Sequence, residues 1–415
     1  MQTGAAAEKA RRFGALHYRD FTLLWAGLLV SNAGTWMQSV AQGWLTYEIS
    51  NNPFYLGLLG ASFAIPMIAL PAVGGTIADR VDRLTVLKFT QTAMMLCAVA
   101  MATLALFRVI TIWDIIVVSF LSSVALAVDN PTRQALIPDL VPPGELLSAI
   151  SLNSVAFNGA ALVGPSVAGL ILGLAGQELL LGSAIVFYLN ALSFLAVLVP
   201  VFLIHPRPVD RPPTVARFHS AIVEGFSYVR ERRSLLLLLA LSAVISIFGR
   251  SFSQLLPVFA RDVLQVGSEG YGVMLALPGA GTLLAGFALA GGGHHFDRRR
   301  LIVASQIGFA ATVIAFALSR SFVFSLAMLG IGGFCATAFG AIAATILQIE
   351  SAGHLRGRVM SLYTITIIGF GPLGSLISGS LATAIPVSLA VIFPALVIVV
   401  FLAVAVTRPA WKLVQ

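Results

Sequence analysis

"GGTIADRVDRLTVL", residues 74–87, sets Asp79, Arg80, Asp82 and Arg83 between two long apolar runs. "LGLLGASFAIPMIALPAV" (56–73) precedes it and "TQTAMMLCAVAMATLALF" (90–107) follows. Each run approaches the ~20 residues that carry a helix across a bilayer. The charged stretch therefore reads as a short connection between two membrane spans. Its two aspartates need a separate reason, because a connection that only retained positive charge would not include them.

The rest of the chain has the same texture. Its 415 residues are 58% hydrophobic and 10% charged, with a mean hydropathy of +0.94. Soluble domains are nearer a quarter charged, so this composition excludes an ordinary soluble protein. About twelve apolar segments follow one another: 21–48, 54–78, 85–107, 111–135, 146–175, 180–204, 236–262, 270–292, 301–318, 323–348, 358–384 and 387–407. Period-two alternation is missing, which argues against a β-barrel. The fold class expected is all-α integral membrane.

With twelve spans, both termini and the even-numbered connections share one face. Twenty-one of the 25 Lys and Arg fall there, against Arg108, Arg261 and Arg320 on the other face and Arg250 inside a span. The positive-inside rule makes the rich face cytoplasmic. The net charge of +8 is thus a topology signal, spread over loops without the aromatic-basic surface of a nucleic-acid binder. The N-terminal basic stretch leads into a run too long for a cleavable signal, so the first helix is expected to stay.

The most polar stretch, "HPRPVDRPPTVARFHS" (205–220), divides six spans from six. The expected units are a bundle at 1–204, a cytoplasmic linker at 205–234 and a bundle at 235–415. Within the linker Phe218, Ile222, Phe226 and Val229 recur at helical spacing before Arg230, Arg232 and Arg233. That suits an amphipathic helix on the membrane surface; an extension of the seventh span is the other reading.

The halves echo each other. "GGGHHFDRRRLIVA" (291–304) follows the eighth span as the opening stretch follows the second. "VGPSVAGLILG" in the fifth span matches "FGPLGSLISG" in the eleventh. The first span ends "LTYEIS" and the seventh "ARDVLQ". Duplicated six-helix halves with a substrate path near the midplane are a recurrent transporter plan.

Gly75-x-x-x-Asp79-Arg80-x-x-Arg83 resembles the loop-2/3 signature of the major facilitator superfamily, and the twelve-span layout extends the resemblance over nearly the whole chain. Asp82 replaces the glycine usual there, and Leu84 a common basic residue. "ADRVDR", "DNPTRQALIPDLV" and "LLPVFARDVL" resemble one branch, the bacterial enterobactin exporter and its macrolide-efflux relatives. The resemblance implies that Asp79 caps a helix of the other half and that Arg80 and Arg83 join a charge relay with the fourth helix. Asp129, with Arg133 one turn on, is the expected partner there, near the cytoplasmic boundary; a local Asp129–Arg133 pair is the alternative. The candidate gate is Gly75, Asp79, Arg80, Asp82, Arg83, Asp129 and Arg133, with Asp297 and Arg298 in the second copy.

Gly159, Gly164, Pro165 and Gly169 resemble the fifth-helix signature of facilitator antiporters, with Gly371 and Pro372 as counterparts. Helix packing and a coupling role both fit them. In the family the first, fourth, seventh and tenth helices line the cavity. Gln38 and Gln42, one turn apart, are then cavity candidates, with Trp36 nearby; interhelical hydrogen bonding is the other reading. Arg250 is the deepest charge, ~22 Å into the seventh span. Facing lipid it would be costly, so it is expected to meet an anionic or carbonyl-rich substrate, or else backbone carbonyls near Pro257. Glu48 lies ~40 Å along the first helix and is expected as a solvated acid at the outer surface.

No phosphate loop, metal-ligand spacing or catalytic triad is present in the sequence, so neither an enzyme nor a cofactor is expected. His294 and His295 make a poor metal site. Cys97 and Cys335 sit in different spans with no motif around them. The function expected is secondary export of a small amphipathic molecule, siderophore- or drug-like, by a monomer in the bacterial inner membrane, with protons as the coupling ion. Metabolite uptake, lipid flipping and a non-transporting scaffold are the alternatives.

Overall fold

The computed structural model describes residues 14–70, 74, 81–204, 218–249, 251–292, 297–353 and 355–413. It is helical throughout. Before residue 205 come α1 (Arg19–Ser50), α2 (Pro53–Ala69), α3 (Arg83–Leu106), α4 (Ile112–Leu140), α5 (Leu146–Ala175) and α6 (Leu179–Leu203). After it come α7 (Phe218–Glu231), α8 (Arg233–Val244), α9 (Gly267–Gly292), α10 (Arg298–Leu318), α11 (Phe322–Glu350), α12 (Arg356–Gly369), α13 (Gly371–Ala384) and α14 (Val387–Thr407).

Ten helical stretches among the described residues are long and apolar enough to cross a membrane. The first helix is long enough but not among them. Asn32, Thr35, Gln38, Ser39 and Gln42 run through its middle and lower its hydropathy. The second, Pro53–Ala69, is apolar but only 17 residues long.

Two expected spans are not single helices. The seventh leaves α geometry after Val244. It continues as a π-helical turn (Ile245–Gly249), a 3-10 run (Ser251–Leu255), one α-turn at Pro257 and a second π turn (Phe259–Val263). The eleventh breaks at Phe370, where Pro372 in the first turn of α13 has no N–H to continue the ladder of α12. The two irregular runs pack together: the Ser246 hydroxyl donates to the Ile367 carbonyl at 2.7 Å, beside the break. Polar side chains commonly satisfy backbone freed in this way at membrane depth. Pro165, by contrast, leaves α5 continuous over 30 residues.

α1 packs on α5 and α6, α3 on α6, and α2 on α4; beyond residue 217, α9 packs on α11, and α10 on α11 and α14. The most extensive pairings between the N-terminal helices and the C-terminal ones are α2 with α13 and α5 with α9; α2 also touches α12, and α1 touches α9 and the irregular seventh span. The apolar interior follows the same division. One core cluster crosses between the two sets, taking Tyr47, Leu56, Ala168 and Leu172 together with Leu255, Phe259, Tyr271 and Met274. A second cluster, with Phe21, Leu24, Leu87, Leu136, Ala149 and Val201, draws only on the N-terminal set, at the end where the chain begins. The two sets therefore share a core at the end remote from the termini, called distal below. At the terminus-proximal end the N-terminal set has a core of its own.

α7 carries the amphipathic pattern expected of the linker, and it docks on α12. Glu224 pairs with Arg358, and the Tyr228 hydroxyl accepts from the Ala352 N–H at 3.0 Å.

Candidate functional site

Gly75, Asp79, Arg80 and Arg250 lie outside the described residues, as do His294 and His295. In the opening stretch, Gly74 lies against α4: a Cβ there would sit 2.9 Å from the Ala127 carbonyl oxygen. Asp82 is the N-cap of α3. Its carboxylate accepts from the Thr85 N–H at 2.9 Å and from the Thr85 hydroxyl at 2.8 Å. Asp297 is likewise the N-cap of α10, accepting from the Arg299 N–H at 2.9 Å, with the Arg300 guanidinium 3.7 Å away. Arg298 opens α10 and is exposed. The two aspartates of the repeated stretch thus do the same local work, satisfying helix-start N–H groups that have no intrahelical acceptor.

The expected pairing of Arg83 with Asp129 is corrected. Arg83 Nη1 lies 2.5 Å from Asp139 Oδ2 and donates to the Ala135 carbonyl at 2.9 Å. Asp139 stands ten residues beyond Asp129, ~15 Å further along α4 and so level with the start of α3. Asp129 is fully buried. Its Oδ1 accepts from the Thr90 hydroxyl at 2.8 Å and from the Gln91 side-chain amide at 2.9 Å, while its Oδ2 is ion-paired with Arg133 Nε at 2.5 Å without hydrogen-bond geometry. Arg133 also donates to Asn130. The carboxylate clamps α3 to α4, with the local pair completing its shell; a buried charge needs such partners. Asp139 went unread because its neighbours "LIPDLV" gave no charge pattern to flag it.

Gln38 faces into the N-terminal helices. Its carbonyl accepts from Asn190 of α6 at 2.7 Å, and both residues are buried. This is the interhelical reading, in place of a cavity position. Gln42 is also buried, and its Nε2 has no hydrogen-bond partner among the described residues. Trp36 is half-buried, edge-on to Phe157 with centroids 6.0 Å apart.

The glycine signatures separate into contacts and open positions. Gly164 carries the α5 crossing of α1, where a Cβ would lie 2.7 Å from the Ala33 carbonyl. Gly169 faces α9: its Cβ would meet the Ser268 carbonyl at 2.7 Å and the Gly272 Cα at 3.0 Å. Gly379 and Gly57 form the corresponding contact of α13 with α2, with a Cβ on Gly379 3.0 Å from the Gly57 Cα. Pro165 and Pro372 are buried, while Gly159 and Gly371 have open space where a Cβ would go. Both glycine crossings lie toward the distal end, where backbones approach as small residues allow.

At that end a polar cluster joins α1 to the close of the irregular seventh span. Arg261 stacks over the Tyr47 ring, 4.1 Å from its centroid. Its Nη1 is 3.5 Å from Glu48 Oε2, its Nη2 donates to the Asn51 side chain, and its Nε is 2.8 Å from Asp262 Oδ1. The Tyr47 hydroxyl donates to Asp262. Glu48, expected as a solvated acid, is therefore partnered. A cavity of about 460 Å³ opens beside the cluster, lined by Tyr47, Asn51, Asn52 and Asp262 with Val258, Thr383 and Pro386 among others. The matched ends "LTYEIS" and "ARDVLQ" are the sequence signal for this cluster; nothing in either alone says that they touch.

Residues 10–414 match the family model described as transmembrane secretion effector. The chain is 27% identical over 362 residues to the staphyloferrin A transporter of Staphylococcus aureus, covering 83% of this chain and 85% of that protein. It is 24% identical over 365 residues to the multidrug efflux pump Tap of Mycolicibacterium fortuitum, covering 85% and 87%. It is 22% identical over 377 residues to macrolide efflux protein A of Streptococcus pyogenes, covering 87% and 89%. Among solved structures, a bacterial homologue of the human lysosomal transporter Spinster, in an inward-facing and unoccupied conformation, superposes with a TM-score of 0.75 at 18% identity, covering 95% of this chain and 97% of that one. The resemblance read from the opening stretch holds: the chain is a multi-pass membrane protein of the transmembrane secretion effector family, within the major facilitator superfamily of transporters.

Proposed function

We propose that the chain is a secondary exporter of a small amphipathic organic molecule, working by alternating access between two six-helix bundles at 1–204 and 235–415. The observation that carries this reading is the uneven interior. The helix sets share one apolar core and two glycine crossings at the distal end, while the proximal N-terminal core is separate. A fixed scaffold has no need of that asymmetry. With the basic proximal face in the cytoplasm, the arrangement is a cytoplasm-open, outward-closed state. The membrane is then the bacterial inner membrane, with both termini cytoplasmic and a single chain as the working unit.

Substrate class and direction rest on the relatives, a staphyloferrin A transporter, a macrolide efflux protein and a multidrug efflux pump. Protons are the coupling ion in this reading. The gate is assigned to Gly75, Asp79, Arg80 and Arg83, and Arg250 of the seventh span is assigned to the substrate. The test is flux in proteoliposomes carrying an imposed pH gradient, with staphyloferrin A, a macrolide and a lysolipid as probes. Gradient-driven export of either of the first two supports the reading. Lysolipid movement alone, or flux indifferent to pH, overturns the substrate class or the coupling respectively.

A further inference from the structure

We propose that Arg261 is the latch of the outward face, holding the distal end shut and releasing it when the transporter opens outward. This rests on the alternating-access reading above and adds the group that sets its equilibrium. Two residues of α1 and the residue that caps its end hold the guanidinium: the Tyr47 ring beneath it, the Glu48 carboxylate and the Asn51 side chain. A cation over an aromatic face and beside a carboxylate combines two attractions that depend on close approach.

The cluster has a two-fold pattern. Tyr47, Glu48 and Asn51 on one side have the same spacing as Arg261, Asp262 and Gln265 on the other. Asn51 and Gln265, which end the two elements, both have left-handed backbone, at φ 48° and 54°. The bonds cross reciprocally: Tyr47 reaches Asp262, and Arg261, in the position matching Tyr47, reaches Glu48, in the position matching Asp262. Such an isologous contact forms and breaks as a unit when two bodies rotate about the axis between them.

Its exposure suits reversible release. The Arg261, Glu48 and Asp262 side chains keep 25%, 30% and 41% of their surface in solvent. On separation each charge is rehydrated at once, whereas parting a dry ion pair would strand two unsolvated charges. The glycine crossings beneath supply area for closure but no charge, so the latch is the part of the seam that a single side chain controls.

The test uses the full-length protein in liposomes, spin-labelled in pairs for distance measurement. Val109 and Leu318, both exposed, report the distal end; Leu147 and Ile349, also exposed, report the proximal end. Arg261→Gln is expected to raise the distal-open population at least about fivefold, the lower bound of ordinary coupling between sites, while the proximal pair shortens. Tyr47→Phe, which keeps the ring and loses the hydroxyl, should shift less. The exchanged pair Glu48→Arg with Arg261→Glu should recover the closed distribution. A merely structural arginine would lower the melting temperature and leave both distributions in place, which overturns the latch. Gly272→Ala serves as the control: if it shifts both pairs and Arg261→Gln does not, alternation stands and the latch fails. If no variant moves either pair, alternating access itself fails.

Discussion

Gly169 and Gly272 meet so closely that a Cβ on Gly272 would lie 2.9 Å from the Gly169 Cα. Gly57 and Gly379 repeat the contact across the other pair of helices. These four positions without side chains, two from each half of the chain, let the backbones meet at the distal end.

Gly272→Ala should overpack that crossing by about 1–3 kcal/mol and weaken the outward-closed state by a similar amount. Spin-label distances at the distal end check this. Gly159→Ala, where open space surrounds the added methyl, should leave them unchanged.

Asp129→Asn should destabilise the protein by about 3 kcal/mol, the low end for a broken buried pair because the amide oxygen still accepts from Thr90. The double variant Asp129→Asn with Arg133→Gln should recover much of the loss. Melting temperature in detergent reads both. A normal melting temperature in the single variant, together with lost pH-gradient drive, would instead make Asp129 a coupling acid.

Asp82→Ala and Asp297→Ala each remove a helix N-cap and should each cost about 0.5–2 kcal/mol, with serine restoring most of it. Near-equal losses are expected, since each carboxylate accepts from a backbone N–H at 2.9 Å. A loss at Asp82 several times that at Asp297 would mean that the first aspartate does more than cap.

Cysteines placed singly at Ser50 and Ser227 should label from opposite sides of the membrane, Ser50 from outside and Ser227 from the cytoplasm. Ser50 closes α1, and Ser227 lies exposed on α7. Labelling of both by an impermeant reagent in intact cells would contradict the orientation.

The fold was largely legible because its signal is coarse. Twenty-residue apolar runs and a charge asymmetry between loops survive any local error. Partners within the site were less so. The opening stretch pointed to a cluster between α3 and α4, yet Arg83 takes Asp139 and not Asp129, a difference of three helical turns that hydropathy does not resolve. The break at Phe370 and the π turns near Ile245 and Phe259 were unreadable for a different reason. Pro165 and Pro372 sit in similar Gly-Pro settings, and only packing against the seventh span distinguishes the helix that breaks from the one that does not. The distal cluster joins residues more than 200 positions apart, and one sequence without its fold has no means of pairing them.

The most direct measurement of the central claim is transport with the distal end held shut. Asn52 and Thr383 line the same distal cavity from opposite halves of the chain. After Cys97 and Cys335 are replaced by serine, cysteines at these two positions can be joined by a short cleavable bis-thiol reagent. Alternating access predicts that pH-driven macrolide export stops when the bridge forms and returns when it is cleaved. Export continuing at its full rate with the bridge in place would contradict the account.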